Sequence, residues 1–505
     1  MRDLIFPVQH DSETGLQVQL RRQLVEAIVD GRLTAEDPLP SCRRMAQSLG
    51  VSRNTVVLAY QALTDEGLLI SRERVGYFVN PDAVAAHVDR QAAPDSETVS
   101  DASPGDSPGA SAGASGAPID WWRHFKIHPS EQSHITKPKT WRHYPFPFIY
   151  GQADPELFPV AAWRLCSRQA LALQAIASWS EDSFGEDDPL LIEEVRTRVL
   201  PRRGIKAAPS QILITLGAQN ALSLVAQLLA DSSTTIGIEE PGYVDARNIF
   251  ALSGARLLPL PVDAEGLVVD KQIERCDCVY VTPSHQSPTT VTMPLARRHE
   301  LLRAADRHGV FVIEDDYEAE INYVSHPTPA LKSIDRGKRI IYVGSFSKYL
   351  APGLRIGYLV AAEPLIHEAR QLRRLILRQP PTNNQRTVAL FIANGYYDSL
   401  VSRLQRAYRS RWLIMGAALA DLLPDCRVRP SAGGTSFWIE GPEQLDADVL
   451  ARSALGRGLV IEPGSIHFQA AKPPRNCFRL GFSSIAEGKI RPGIQLLAEL
   501  MQESV

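Results

Sequence analysis

Nowhere in the 505-residue chain do about 18 apolar residues follow one another, so no segment has the length of a membrane helix. The start also lacks the basic, then apolar, then small-residue order of a secretory leader. These absences predict a cytoplasmic protein. Cysteine is scarce: Cys42, Cys166, Cys276, Cys278, Cys426 and Cys477 form no CxxC pair and have no histidines at metal-ligand spacing. That argues against a zinc site or a disulfide framework and for reduced thiols in packed interiors. The nearest pair, Cys276 and Cys278, is expected to alternate along one strand with both side chains on one side. Charge of one sign is lacking too. A formal net charge of −3 gives no overall pull toward nucleic acid, so any DNA contact must come from a local patch.

Large apolar residues run out between Gln91 and Pro118, where the chain reads QAAPDSETVSDASPGDSPGASAGASGAP. Such a stretch cannot bury enough surface to offset its ordering entropy, which predicts a flexible linker with a coil span of about 30 Å. It serves either as a simple spacer or as a tether that lets the N-terminal part reach beyond its own body. A length of 505 residues requires more than one core. The expected organisation is a domain over 1–82, a linker and an irregular arm rich in Trp, His and Pro over 83–140, a large domain over 141–364 and a smaller one over 365–505. In the large domain, QILITLG, TTIGIEEPG, CVYVTPS, VFVIEDDY and RIIYVGS are short apolar runs separated by helical patterns. That alternation indicates an α/β domain with a mainly parallel central sheet. The C-terminal part opens with Arg-rich helices and ends in an α+β pattern, TSFWIEG and CFRLGFS.

In the first domain, apolar positions at helical spacing over 15–35 precede LPSCRRMAQSLGVSRNTVVLAYQALTDEGLLISRERVGYFVNP. Ser41 suits a helix N-cap, Gly50 a helix end and Ser52 the cap of a second helix that buries Val56, Val57, Tyr60 and Leu63. Two helices a turn apart, followed by a short strand pair, make a winged helix-turn-helix. Arg53, Asn54 and Thr55 fall at the start of the second helix, the end that enters a major groove, where Arg takes guanine and Asn takes adenine. Ser52 and the helix start suit a phosphate, and Arg43, Arg44, Arg72 and Arg74 are placed for further phosphate contacts. Residues 1–80 carry nine Arg and no Lys against ten acidic residues, so the positive charge must gather on one face. A protein-binding winged helix is the alternative.

Chemistry concentrates in VGSFSKYLAPGLRIGY, residues 343–358. Lys348 can form a Schiff base with an aldehyde cofactor, while Ser345, Ser347 and Arg355 can hold a phosphate dianion. An isolated SxSK is weak, and most lysines are solvated charges; its companions give this one meaning. Asp315 stands at a strand end, where a buried carboxylate would keep a pyridine nitrogen protonated, and Tyr317 lies two residues on. Gly217, Ala218 and Gln219 open an apolar helix whose free N–H groups suit an anion. Tyr243 follows a Pro-Gly turn and either stacks on a ring or belongs to a core. Ser284, His285, Gln286 and Ser287 sit at another strand end, from which polar side chains are expected near a cofactor ring, with His285 read as a structural hydrogen-bonding residue. Arg479, alone in an apolar strand, requires an anion: an effector's acid group or a structural salt bridge.

LPSxRxxAxxLGVSRNTVxxAYxxLxxEG resembles the winged helix of GntR-type bacterial regulators, although RERVGYF replaces the more glycine-rich wing usual there. GxxDxxLFPxxxW, RRGIxxxxxQIxITxGAQ, PGY, TPSHQxPT, EDDYxxE and SFSKxLAPGLRxGY follow fold-type I aminotransferases in order. Together the two parts resemble the MocR (GabR-like) subfamily of GntR regulators, a winged helix-turn-helix joined to a fold-type I transferase dependent on pyridoxal 5'-phosphate. The resemblance implies that Lys348 carries the internal aldimine, Asp315 meets the ring nitrogen and Tyr317 the phenolic oxygen. It also implies that Tyr243 stacks, that Ser345, Ser347 and Arg355 hold phosphate and that Arg479 receives the effector's acid group. The chain departs from the family at Thr290, where glycine is usual, at Ser287, where aminotransferases commonly place Asn, and in FGEDDPLLIEEV, where GDPxGxxxLR is usual.

Two functions follow. The first is a dimeric regulator, head-to-tail as the resemblance implies, that binds operator DNA and senses a small amino compound through an external aldimine. Family analogy allows γ-aminobutyrate, taurine, ectoine-derived diamino acids or B6 vitamers. The second is an active aminotransferase with a vestigial or autoregulatory reader.

Overall fold

The structure, a computed structural model, describes residues 6–9, 14–35, 38–72, 75–81, 119–180, 185–324, 328–429 and 431–504. The expected linker (Gln91 to Pro118), Arg74 of the wing and Phe184 lie outside these residues. The chain divides into two compact units, one ending at residue 118 and one beginning at 119.

In the first unit, helices α1 (Leu16–Val29), α2 (Cys42–Leu49) and α3 (Arg53–Asp65) precede an antiparallel pair, β1 (Leu69–Arg72) and β2 (Gly76–Val79). Ser41 caps α2 by accepting from Arg44 N at 3.3 Å, and Ser52 caps α3 by accepting from Thr55 N at 3.1 Å. Gly50 ends α2 at φ +64°, a left-handed turn that favours glycine. Helix α3 buries Val56, Ala59, Tyr60 and Leu63 against Leu20 and Leu24 of α1. Val57, expected on the buried side, is half-buried beside that face, and Ala59 takes its place. Positions 56, 59, 60 and 63 are the i, i+3, i+4, i+7 stripe of one helix face.

The second unit is built on eight strands: β4 (Ile212–Thr215), β5 (Thr235–Glu240), β6 (Arg256–Asp263), β7 (Gly266–Leu267), β8 (Cys278–Val281), β9 (Phe311–Asp315), β10 (Ile340–Ser345) and β11 (Gly357–Val360). Their order in the sheet is β4-β11-β10-β9-β8-β5-β6-β7. The five strands from β10 across to β6 pair in parallel, and β11 and β7 run against their neighbours. Every residue of β4, β8, β10 and β11 is buried, which is why these strands read as unbroken apolar runs. Cys278 packs on one face with Ile236 and Phe250, whereas Cys276 packs in a separate cluster with Leu260 and Val279. The expectation of a shared side fails because Cys276 precedes β8, so strand alternation does not govern it.

A second sheet, ordered β12-β13-β16-β15, comprises β12 (Arg427–Val428), β13 (Ser436–Glu440), β15 (Glu462–Pro463) and β16 (Cys477–Gly481), all antiparallel. Between them in sequence, β14 (Leu459–Val460) pairs in parallel with β3 (Phe146–Pro147) of the arm. One core cluster joins this sheet to the arm and the large sheet, with Phe148, Ile214, Tyr342, Phe437 and Phe478 among its members.

The segment where the chain departs from GDPxGxxxLR is a buried anchor. Asp187 accepts from Arg370 at 2.8 Å and from Arg373 at 2.6 Å, and Asp188 caps the helix Pro189–Glu194 and pairs with Arg386 at 2.6 Å.

Candidate functional site

Parallel strands that share a direction bring their C-terminal ends, and the loops that follow, to one edge of the sheet. Here that edge carries Leu216–Gly217 after β4, Tyr243 after β5, Ser287 after β8, Asp315 at the end of β9 and Ser345 at the end of β10. Of these, Tyr243, Ser287, Asp315 and Ser345 line one cavity with Tyr150, Gly151, Ala218, Gln219, Tyr317, Ser347, Lys348, Pro352 and Arg355.

Asp315 is buried, and the Tyr280 hydroxyl donates to its Oδ2 at 2.9 Å. Its Oδ1 has no hydrogen-bond partner among the described residues. Burial pushes this carboxyl up to about 7, against the pull of the Tyr280 hydrogen bond. Burial holds the Lys348 amine below its usual range, partly offset by the nearby Glu318 carboxylate. The Lys348 Nζ stands 4.2 Å from the Tyr150 ring centre and 5.8 Å from that of Tyr317. Gly151 at φ +75° lets the backbone pass this amine: a Cβ there would meet Nζ at 2.8 Å.

Gly217 caps the helix Ala218–Leu229 at φ +79°, and among the described residues no side chain caps its first N–H groups. Arg355, itself at φ +50°, donates to Leu216 O at 2.9 Å and lies where a Cβ on Gly217 would meet its Cζ at 3.3 Å. Ser347 N donates to Ser345 Oγ at 3.2 Å, and the buried Ser347 Oγ has no hydrogen-bond partner among the described residues. Open N–H groups, two hydroxyls and a guanidinium converging on one spot form a cradle for a dianion. The orphaned Asp315 Oδ1 and Ser347 Oγ, on two residues that line one cavity with Lys348, fit pyridoxal phosphate.

Tyr243 lines the cavity with its hydroxyl donating to Asp245 Oδ2 at 3.1 Å, and Gln219 donates to the same oxygen at 2.6 Å. Gln219 therefore steadies Tyr243. The Tyr317 hydroxyl donates to His285 O at 2.7 Å, and the Tyr150 hydroxyl is hydrogen-bonded to Tyr317. Of the four polar residues expected near the ring, only Ser287 lines the cavity. Ser284 accepts from Arg203 at 2.8 Å, Gln286 donates to Glu239 and Pro241, and burial pushes His285 down to about 4. That loop spends its polarity on holding its own shape. Within it Thr290, where glycine is usual, sits at φ +62°, the left-handed region that disfavours a β-branched residue.

Arg479 is buried, and its NH2 lies 2.5 Å from Glu462 Oε1. Its Cζ stands 3.7 Å from the Tyr150 ring centre. The cavity lining includes Tyr150 and not Arg479, so the tyrosine stands between them. Tyr150, Gly151, Tyr280 and Glu462 are site residues that motif reading missed. Only Gly151 carried a signal, as the first residue of GxxDxxLFP.

In the first unit, Arg43, Arg44, Ser52, Arg53 and Asn54 are exposed and Thr55 is half-buried. Ser52 Oγ is engaged as the cap and lies 2.8 Å from Thr55 Oγ1. Arg72 lies over Phe78, with Cζ 4.7 Å from the ring centre.

The described residues contain no cluster of metal-ligating side chains and no helix long and apolar enough to cross a membrane. Residues 174–497 match the family model for aminotransferase class I and II, and residues 16–79 match that for bacterial regulatory proteins of the gntR family. The chain is 42% identical to the HTH-type transcriptional regulator TauR of Rhodobacter capsulatus, over 97% of each chain. It is 31% identical to a protein of Rhizobium meliloti named as a probable rhizopine catabolism regulatory protein, MocR, over 97% of this chain and 94% of that one. The crystal structure of Pyrococcus horikoshii kynurenine aminotransferase superposes with a TM-score of 0.69 at 25% identity, covering 76% of this chain and 98% of the other.

Proposed function

The chain belongs to the MocR-type transcriptional regulators, a GntR helix-turn-helix joined to an aminotransferase class I and II domain, and from that premise we propose that it senses a small amino compound through bound pyridoxal phosphate and adjusts its hold on operator DNA accordingly. The observation that carries this reading is the pair of orphaned atoms, Asp315 Oδ1 and Ser347 Oγ, flanking the buried amine of Lys348.

When bound, the cofactor supplies an aldehyde that condenses with amines and a ring that withdraws electrons from them. Lys348 provides the resident amine, and burial favours its neutral, nucleophilic form. Asp315, through its unpartnered Oδ1, would meet the ring nitrogen and favour its protonated form. Gly217, Ala218, Ser345, Ser347 and Arg355 would hold the phosphate, and Tyr243, steadied by Gln219, would stack on the ring. Tyr317 would meet the phenolic oxygen by giving up its hydrogen bond to His285 O. With the cofactor bound, an incoming amine would compete with the Lys348 amine for its aldehyde, and Arg479 would receive the acid group of such an amine. For this exchange to alter DNA binding, the two forms of the body must differ in contacts that bias the readers. In this reading the readers act in the cytoplasm, as a head-to-tail dimer on paired half-sites.

At the reader, Arg53 and Asn54 contact base edges, Thr55 follows them into the groove, and Arg43, Arg44, Ser52, Arg72 and Arg74 hold phosphates. The test is binding to DNA from the protein's own upstream region, at stated salt and against unrelated competitor. Competitor-resistant binding lost in Arg53→Ala supports a sequence-reading regulator; binding no tighter than to competitor overturns it for that region.

The pairing of Lys348 with Asp315 in one cavity also favours a second reading, an active aminotransferase. Steady turnover of an amino donor with a keto acid by the purified protein, without any effect of the donor on DNA binding, would put that reading first.

A further inference from the structure

The guanidinium expected to receive an effector's acid group already has an anion. Glu462 and Arg479 are direct cross-strand partners on β15 and β16, and their side chains meet at 2.5 Å. His467 holds the same carboxylate, its Nε2 3.0 Å from Glu462 Oε1 and its Nδ1 3.0 Å from the carbonyl oxygen of Gly242. Gly242 N donates back to His467 O at 2.9 Å, so the carboxylate is tied to the turn that carries Tyr243. Although burial works against it, Arg479 keeps the Glu462 carboxyl ionised, below its usual range. Yet Arg479 Nε is buried with no hydrogen-bond partner among the described residues. The guanidinium therefore holds an anion and has donor capacity left over.

Tyr150 closes the same group from the cavity side. The Lys348 amine and the Arg479 guanidinium both lie over its ring, at 4.2 and 3.7 Å from the centre, so the two cations are no farther apart than the sum of those distances. A small molecule with an amine and an acid on a short chain spans that interval once the ring has moved. A simple amine engages Lys348 and leaves the ring where it is. Tyr150 follows directly on arm residues anchored to the second sheet: Gly481 N donates to Phe148 O at 3.0 Å, and a Cβ on Gly481 would strike Ile149 at 2.4 Å. Upstream in sequence, this arm runs back to the linker.

We propose that Glu462 occupies the acid subsite of the resting protein, and that an amino acid, but not a simple amine, displaces Glu462 and the Tyr150 ring together from Arg479. Glu462 then sets specificity: it raises the threshold for acid-bearing effectors and retains His467 as its partner when displaced. This rests on the reading that Lys348 exchanges with an amine.

The test follows the visible absorbance of the pyridoxal phosphate-loaded protein during titration with three amino acids and their decarboxylated counterparts. The pairs are glycine and methylamine, β-alanine and ethylamine, and γ-aminobutyrate and propylamine. The readout is the ratio of acid to amine affinity within the best-bound pair, which cancels effects on Lys348 common to both. Removing the competing charge in Glu462→Gln raises that ratio about tenfold, the worth of one charge-assisted contact. Tyr150→Ala raises it as well, and Glu462→Asp, which keeps the charge, leaves it near wild type. An unchanged ratio in Glu462→Gln, or an equal rise in Glu462→Asp, overturns the proposal while leaving amine exchange intact. If no amine alters the absorbance of any variant, the sensing reading fails and this inference falls with it. Retention of the cofactor's absorbance in each variant before titration shows that the site is folded.

Discussion

The Tyr280 hydroxyl donates to one oxygen of Asp315 at 2.9 Å, and the other, Oδ1, is buried with no hydrogen-bond partner among the described residues, on a side chain that lines the same cavity as Lys348. A carboxylate fixed by one contact and unsatisfied at the other atom is prepared for a cationic partner.

The pH dependence of the cofactor-free protein tests that description. Burial pushes both Asp315 and Glu239 up to about 7. Between the ordinary carboxyl range and pH 7, the folded state therefore binds more protons than the unfolded state. Stability from these groups is present at low pH and is lost as pH rises toward 7, then levels off. The Tm of the cofactor-free protein at pH 8 is expected to lie a few degrees below that at pH 5.5. Asp315→Asn should flatten this slope, and an unaltered slope would remove Asp315 from the account.

Gly151 tests the approach of the arm to Lys348. A Cβ would meet Nζ at 2.8 Å, at a positive φ that an L side chain rarely adopts. Gly151→Ala should weaken pyridoxal phosphate binding about tenfold or more, read by absorbance titration, with the DNA reader unaffected.

In the reader, cap and contact separate. Ser52→Ala removes the acceptor for Thr55 N and should cost about 1 kcal/mol of the first unit's stability. Arg53→Ala, at an exposed side chain, should leave melting unchanged while costing about 1–3 kcal/mol of operator affinity. Melting and binding measured on the same samples distinguish the two.

Asp187 lies between Arg370 and Arg373, and the Arg373 side chain is fully buried. Asp187→Asn leaves that guanidinium with only the carbonyl oxygens of Gly185 and Ile214 and no counter-charge, and should destabilise the second unit by about 3 kcal/mol in denaturant unfolding. A loss under 1 kcal/mol would show that other acceptors suffice.

Local chemistry was legible in the sequence. The caps Ser41, Gly50 and Ser52 act within a few residues, and the apolar runs of β4, β8 and β10 declare burial on both faces. Lys348, Asp315 and Gly217 stood out because each sits at a strand end, and parallel strands gather those ends at one edge. What stayed hidden depends on register and on chain crossings. Glu462 faces Arg479 only through the pairing of β15 with β16, which no local pattern encodes. Tyr150 reaches Lys348 because the arm crosses Gly481, which lies about 330 residues further along the chain and meets it only in three dimensions. Cys276 misled because strand alternation was applied one turn too early.

The most direct test of the central claim compares operator affinity of the pyridoxal phosphate-loaded wild type and of Lys348→Ala. Each is measured with and without the amine that most changes the wild-type absorbance. The account predicts that this amine shifts wild-type affinity at least about fivefold and leaves Lys348→Ala unmoved. An equal shift in both proteins, or no shift in wild type, would contradict it.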